Sequence, residues 1–321
     1  MFRICLFGSL SIASGGAPSE AVAIAGRCAS LLAYLALGRG RYFSRSELLA
    51  SLWPERSSSS TAGSFNTALW RLRRLVEKPP LKHGDLIVCD RRGAIGLNGP
   101  AAVWLDVDEF ERLVTPGLSR APERLSDADI DGLRRGVAMY TSDILLDVTD
   151  DWALREREKH RRNYLNALGR LVQLATIRRD YAEGIVHAQA ILDSDALRED
   201  VHRDLMQLLV LSGQRAQALR QFEHCRELLR RELAIQPMRE TMALYQSIAQ
   251  SAIGSEAASP PWPAQGAVGY AVQPMVPVQV PAYAAMIADE GMRAYGLINA
   301  ARRSLATADA QLQLSLQFLE R

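Results

Sequence analysis

Apolar residues recur at two different spacings along this chain, and the change from one to the other marks out its parts. Phe2 to Phe7 and Leu10 to Ile12 have strand-like composition broken at Gly8-Ser9, which suits a hairpin or a bulge, and Ala21 to Ala25 follows a Gly15-Gly16-Ala17-Pro18 turn. Together they predict a small N-terminal sheet. Helical spacing takes over from Arg27 to Leu37, where Leu31, Leu32 and Leu35 form a face for burial and Gly38 and Gly40 end the helix. A second helix is predicted within Tyr42 to Pro54, with Ser44 as its cap, Glu47 as the capping-box partner, and Leu48, Leu49, Leu52 and Trp53 facing the core. The third begins after Ser57 to Thr61, where any of several hydroxyls can cap it, and ends near Pro79-Pro80, which cannot continue it. Along this third helix Phe65, Leu69, Leu72 and Val76 share one side, leaving Asn66, Thr67, Trp70, Arg71 and Arg74 on the others. Leu86 to Leu97 then reads as two short strands around Asp90-Arg91-Arg92-Gly93, a hairpin with two cations at its tip.

From Trp104-Leu-Asp-Val-Asp-Glu-Phe110 to Gln250 the pattern is helical throughout. Arg178 to Ile185 is similar to Ser212 to Leu219, and Tyr181 aligns with Arg215 at a spacing of 34 residues, the tetratricopeptide period. Prolines, glycines and alternating Val between Ser259 and Pro281 predict an extended linker, after which Met286, Met292, Tyr295, Ile298, Leu305, Leu312, Leu316 and Leu319 restore helical spacing. One or two amphipathic helices there could dock on the repeats, pair with a second subunit or bind another protein. The fold class expected is mainly α: a winged helix-turn-helix domain with small β-sheets over 1–103, then an all-α TPR-like helical repeat domain over 104–250. A Pro-rich linker follows over 251–281, and an amphipathic helical tail over 282–321.

Charge refines this picture locally rather than globally. With 38 Lys and Arg against 36 Asp and Glu, the 321-residue chain is nearly balanced, so net charge argues neither for nor against nucleic acid. Yet Arg71, Arg73, Arg74, Lys78, Lys82, Arg91 and Arg92 gather in one short span with few acids, which is either a solvated face or the footprint of a polyanion. Cys5, Cys28, Cys89 and Cys225 are too far apart to suggest a zinc site or a disulfide framework, and reduced thiols in a cytosol fit best. The longest apolar run, Cys28 to Leu37, falls far short of the roughly 20 residues that span a bilayer.

Several chemistries find no residues to carry them. There is no Gly-x-x-x-x-Gly-Lys-Ser/Thr phosphate loop, nucleophile elbow or Gly-rich cofactor loop, so neither an enzyme nor a bound cofactor is expected. The five histidines are scattered; His202 and His224 could approach across a repeat, though structural histidines are commoner than ligands at such spacing. Asp147, Asp150 and Asp151, just before Trp152, suit a loop and helix cap better than a metal site.

Strands, three helices and a basic hairpin, in that order, spell a winged helix-turn-helix. Short polar side chains early on the third helix suit base edges and the later arginines suit guanine or phosphate, while an ordinary surface helix with cations near its C-terminal end has the same composition. Residues 2–97 resemble the winged-helix DNA-binding domain of OmpR-type response regulators, and the continuation resembles the bacterial transcriptional activator domain of the antibiotic-regulatory-protein (SARP) type of activators. The residues that carry this are Leu31 to Ala36, Ser44 to Trp53, Leu69 to Leu75, Trp104 to Phe110, Gly213 to Leu219, Arg231 to Pro237 and Leu244-Tyr245. The resemblance implies a cytoplasmic, sequence-specific transcriptional activator whose partners are double-stranded promoter DNA and RNA polymerase, acting as a homodimer with no membrane contact. By the same match, Ser64, Asn66, Thr67 and Arg71 should face base edges, Arg45, Arg73 and Arg74 should reach phosphates, and Arg91 and Arg92 belong to the wing. Trp70 stands where the pattern usually has a polar or basic residue, with sugars or the wing as its contact. The alternative is a TPR-like protein-interaction scaffold whose winged helix touches protein rather than DNA.

Overall fold

In the computed structural model, which describes residues 2–14, 21–54, 58–78, 81–98 and 103–250, a four-stranded sheet receives the chain at its start and again after the wing. Strand β1 (Phe2–Cys5) pairs antiparallel with β2 (Ser11–Ser14), which pairs with β3 (Val22–Ala23). On the other side of β1 lies β6 (Val103–Leu105), parallel to it, with Phe2 opposite Val103 and Ile4 opposite Leu105. Alternation along β1 turns Phe2 and Ile4 inward, so this sheet caps a core rather than standing free.

Three helices fill the space between β3 and the wing. Helix α1 (Gly26–Leu37) buries Leu31, Leu32 and Leu35, and it stops at Gly38, where a Cβ would stand 2.4 Å from the Phe43 ring. Helix α2 (Arg45–Leu52) takes the Ser44 cap its sequence indicated, the hydroxyl accepting from the Glu47 amide at 3.2 Å, but the Glu47 carboxylate pairs with Arg41 at 2.6 Å instead of completing the capping box. Helix α3 (Ser58–Val76) starts earlier than its run of hydroxyls suggested, since Ser58 is already helical. Phe65, Ala68, Leu72 and Val76 are buried along its inner side, and the Trp53 ring meets the Phe65 ring edge-on at 5.7 Å. The wing is the hairpin β4 (Ile87–Cys89) and β5 (Ile95–Leu97). Phe43, just before α2, exchanges both backbone hydrogen bonds with Ile95 of the wing (2.9 and 2.8 Å), and Gly96 permits this approach because a Cβ there would lie 2.9 Å from the Arg41 carbonyl oxygen.

Among the described residues seven α-helices follow: α4 (Asp106–Ser119), α5 (Asp127–Met139), α6 (Asp151–Arg178), α7 (Tyr181–Ser194), α8 (Glu199–Leu211), α9 (Arg215–Leu233) and α10 (Arg239–Gln250). Helices α7 and α9 begin at Tyr181 and Arg215, the two positions that the internal repeat aligns. Successive helices pack against one another, and Gly184 of α7 lies close to Ala175 of α6 and Leu208 of α8.

The two halves are not separated by a bare linker. Asp106 opens α4 but turns its carboxylate back to β1, accepting from the amides of Leu6 (2.7 Å), Phe7 (3.0 Å) and Val107 (2.8 Å). Burial raises its pKa to about 6 even against these hydrogen bonds. The segment before α6 returns to the sheet as well, with the Leu145 amide donating to the Leu6 carbonyl and the Gly8 amide to that of Asp143. Ile144, Leu145, Val148, Trp152 and Ala153 are part of the same buried cluster as Phe2, Leu31 and Phe65. Asp150 occupies the N-cap of α6, as its place in the sequence suggested, but its carboxylate takes Arg27 of α1 at 2.8 Å instead of capping the helix. The expected linker and tail, 251–281 and 282–321, lie outside the described residues.

Candidate nucleic-acid interface

The outer side of α3 is set by the same periodicity that buries its inner side. Asn66 and Trp70, Thr67 and Arg71, and Trp70 and Arg74 are each one turn apart, and all five side chains are exposed. Trp70 keeps 55% of its surface in solvent, an unusual exposure for an indole, and carries the Arg74 guanidinium over its ring at 5.0 Å. Thr67 turns its hydroxyl onto the Gly63 carbonyl at 2.9 Å, which leaves its methyl group as the outward part. Ser64, nearer the start, is half-buried.

Helix α2 supplies one more cation to this face. Arg45, its first residue, donates to the Asn66 side-chain oxygen at 2.6 Å and lies 5.0 Å over the Phe65 ring. The bond joins two residues expected to meet a base edge and a phosphate, and it leaves the Asn66 side-chain NH2 as the amide's donor.

Arg91 and Arg92 are exposed at the wing tip, as expected. Asp90 builds the turn beneath them: its carboxylate accepts from the amides of Arg92 and Ala94 (both 2.8 Å), and Gly93 takes the positive φ of +80° that closes the hairpin. The carboxylate is thus spent on the backbone, and the two guanidiniums project past it.

Arg73 is placed differently from its neighbours. It is half-buried, and its guanidinium donates to the Ile87 carbonyl in the wing at 3.1 Å, while its Nε is buried without a hydrogen-bond partner. The residue that sequence reasoning missed lies one turn on: Glu77 accepts from the amides of Gly84 (3.0 Å), Leu86 (3.2 Å) and Ile87 (2.9 Å). A signal for it existed, because a carboxylate at the C-terminal end of a helix opposes the helix dipole and needs donors to justify it. Elsewhere His202 and His224 do come within 6.1 Å ring to ring, but His202 is engaged by the Ala196 carbonyl and Gln221. No cluster suited to a metal occurs among the described residues, and no helix among them is long and apolar enough to cross a membrane.

Residues 105–249 match the bacterial transcriptional activator domain. Two curated relatives are similar to the chain, each a regulatory protein AfsR. That of Streptomyces coelicolor is 27% identical over 226 residues, 69% of this chain and 22% of the relative; that of Streptomyces griseus is 24% identical over 221 residues, 68% and 22%. The chain therefore spans about a fifth of their length. Among solved structures, Mycobacterium tuberculosis EmbR in complex with a low-affinity phosphopeptide superposes with a TM-score of 0.61 at 18% identity, over 78% of this chain and 65% of that one, a likeness of fold.

A winged helix followed by a bacterial transcriptional activator domain defines a class, that of transcriptional regulators built from a winged helix and a helical repeat. Within that class the chain is similar, through residues 105–249 and the two AfsR relatives, to regulators of the antibiotic-regulatory-protein (SARP) type.

Proposed function

We propose that the chain is a sequence-specific activator that binds double-stranded promoter DNA through α3 and the wing, with the helical region supporting homodimer contacts and recruiting RNA polymerase. The observation that carries this reading is the uncovered outer side of α3, where Asn66, Thr67, Trp70, Arg71 and Arg74 are exposed together. Such a helix fits the major groove, with Asn66, Thr67 and Arg71 toward base edges and Arg74 toward phosphate, while Arg91 and Arg92 reach the backbone or the adjacent minor groove. Ser64, half-buried at the start of this face, keeps a base-edge role only for a groove that approaches closely. Arg45 reaches the phosphates flanking the Asn66 contact.

The competing reading is a protein-interaction scaffold, favoured by the exposed apolar residues Val210 and Leu211 of α8, which line a hollow of about 350 Å³ together with Leu244 and Ile248. Selection of bound sites from random DNA by the full chain, followed by titration at several salt concentrations, separates the two. The activator reading expects one enriched motif and an affinity that falls steeply with salt; a scaffold enriches no motif and shows no such slope.

A further inference from the structure

Four hydrogen bonds tie the base of the wing to the end of α3. The Glu77 carboxylate receives the amides of Gly84, Leu86 and Ile87, and Arg73, one turn earlier, donates to the Ile87 carbonyl. Both peptide groups that flank the Ile87 Cα are therefore held by side chains at the end of α3, Arg73 in its last turn and Glu77 just past it, and Ile87 is the first residue of β4. Three amides on one carboxylate offset the cost of an anion at the negative end of the helix dipole. A hairpin with strands of three residues has little stability of its own, so its position depends on what grips its base.

From this geometry we infer that Glu77 and Arg73 are positioning residues that hold the wing tip at a fixed offset from the outer side of α3, so that helix and wing engage DNA as one rigid head. The inference rests on the DNA-binding reading and adds to it that the wing's share of affinity depends on two side chains that need touch no DNA. A wing released from α3 must be ordered at the moment of binding, and that entropy cancels much of what Arg91 and Arg92 contribute. Arg73 thereby acts through the wing rather than as a separate phosphate contact.

The test is a double-mutant cycle in the full chain on its selected DNA site. Arg91→Ala with Arg92→Ala, and separately Arg71→Ala, are introduced into the parent, into Glu77→Ala and into Arg73→Met. The expected result is that the wing substitutions weaken binding roughly tenfold or more in the parent but less than about twofold in either positioning variant, whereas Arg71→Ala costs the same fold-change in all three. Glu77→Gln, which keeps one acceptor oxygen for Leu86 and Ile87, should restore most of the coupling. Loss of the wing substitutions' effect together with loss of that of Arg71→Ala would indicate general unfolding and overturn the positioning role, as would an equal effect of the wing substitutions in parent and variants. If Glu77→Ala fails to fold, Arg73→Met carries the comparison. A parent that binds no DNA removes the DNA-binding reading itself, which is a different outcome from binding without coupling.

Discussion

Arg71 and Arg74 lie three residues apart on one helix, yet their surroundings differ. Arg71 stands one turn from Thr67 on the outer side of α3, whereas Arg74 is braced over the Trp70 ring. Replacing Arg71 with Ala should cost about 1–3 kcal/mol of binding free energy and relax preference at a single base position, while Arg74→Ala should weaken all sites alike and reduce the salt slope by about one. Competition titrations against sites varied one base at a time, repeated across salt, check both; indistinguishable profiles would remove the division of labour. A second residue makes a statement about stability. His160 of α6 is fully buried with neither ring nitrogen hydrogen-bonded, near Glu111 and Glu156, and burial lowers its pKa from 6.5 to about 4. The unfolded chain takes up a proton below pH 6.5 and the folded chain does so only near pH 4, so the stability associated with neutral His160 is intact above pH 6.5 and lost as pH falls between those values. The loss amounts to about 3 kcal/mol. Asp106, with its pKa raised to about 6, acts in the opposite sense as pH falls from 6, so the clean measurement is the difference in unfolding free energy between the parent and His160→Leu. That difference should shrink or reverse against the parent from pH 7 to pH 4; a flat difference would show that His160 does not carry the effect. At this scale the sequence indicated which side chains share the face of α3, because spacing alone decides that. It did not indicate that Arg73 turns to Ile87 or that Arg45 bonds Asn66, because such choices depend on partners from other elements.

Elements were legible where a local signal sufficed. Ser44 and Glu47 announce α2, and Asp90-Arg91-Arg92-Gly93 announces the hairpin, because a cap and a tight turn are each decided within a few residues. The start of α3 was less legible for the opposite reason: several adjacent hydroxyl residues each satisfy the capping rule, so the rule could not choose among them, and Ser58 proves helical. The two-sided grip of Arg73 and Glu77 was only half legible: a carboxylate at the end of a helix calls for donors, but the chain between α3 and β4 has no periodicity that says which amides supply them. Gly96 likewise reads in the sequence only as part of the wing hairpin, whereas it allows the chain before α2 to pass close by. Gly96→Ala places a Cβ 2.9 Å from the Arg41 carbonyl oxygen, a backbone atom that cannot swing aside. The expected outcome is a loss of about 1–3 kcal/mol of stability, typical of overpacking. Chemical denaturation should show it, with hydrogen exchange faster in β4 and β5 and little changed in α8. Unchanged protection of the hairpin would mean that the Phe43–Ile95 pairing tolerates displacement.

At the scale of the described molecule the winged helix and the start of the helical repeat share a core, and this follows from contacts between residues about a hundred or more positions apart in the chain. Ile144, Leu145, Val148, Trp152 and Ala153 pack among residues of the sheet and of α1 to α3, and the Trp152 ring meets the Tyr34 ring at 5.1 Å. Arg157 gathers the carbonyls of Ile144, Leu145 and Val148 (the first and last at 3.0 and 3.1 Å), fixing the segment that lies against Leu6 and Gly8. Outside this core, Arg39 after α1 binds Asp108 at 2.8 Å and Glu111 of α4, and Lys159 of α6 binds Glu111 at 2.9 Å. Repeats could be recognised in the sequence because α7 and α9 restate each other, but nothing local in Ile144 to Ala153 says that its apolar residues belong to a sheet at the far end of the chain. A winged helix cut off after Leu105 would therefore lose part of its own interior. Trp152→Ala, at a residue with 7% of its surface exposed, should cost about 3–5 kcal/mol, and the cost should be felt in both halves. Hydrogen exchange on the full chain tests this: amides of β1 and β2 should lose protection together with those of the first turns of α6, and DNA affinity should fall with them. Deprotection confined to α6, with β1 unchanged, would show instead that the two halves open independently and that Trp152 packs against the winged helix without supporting it.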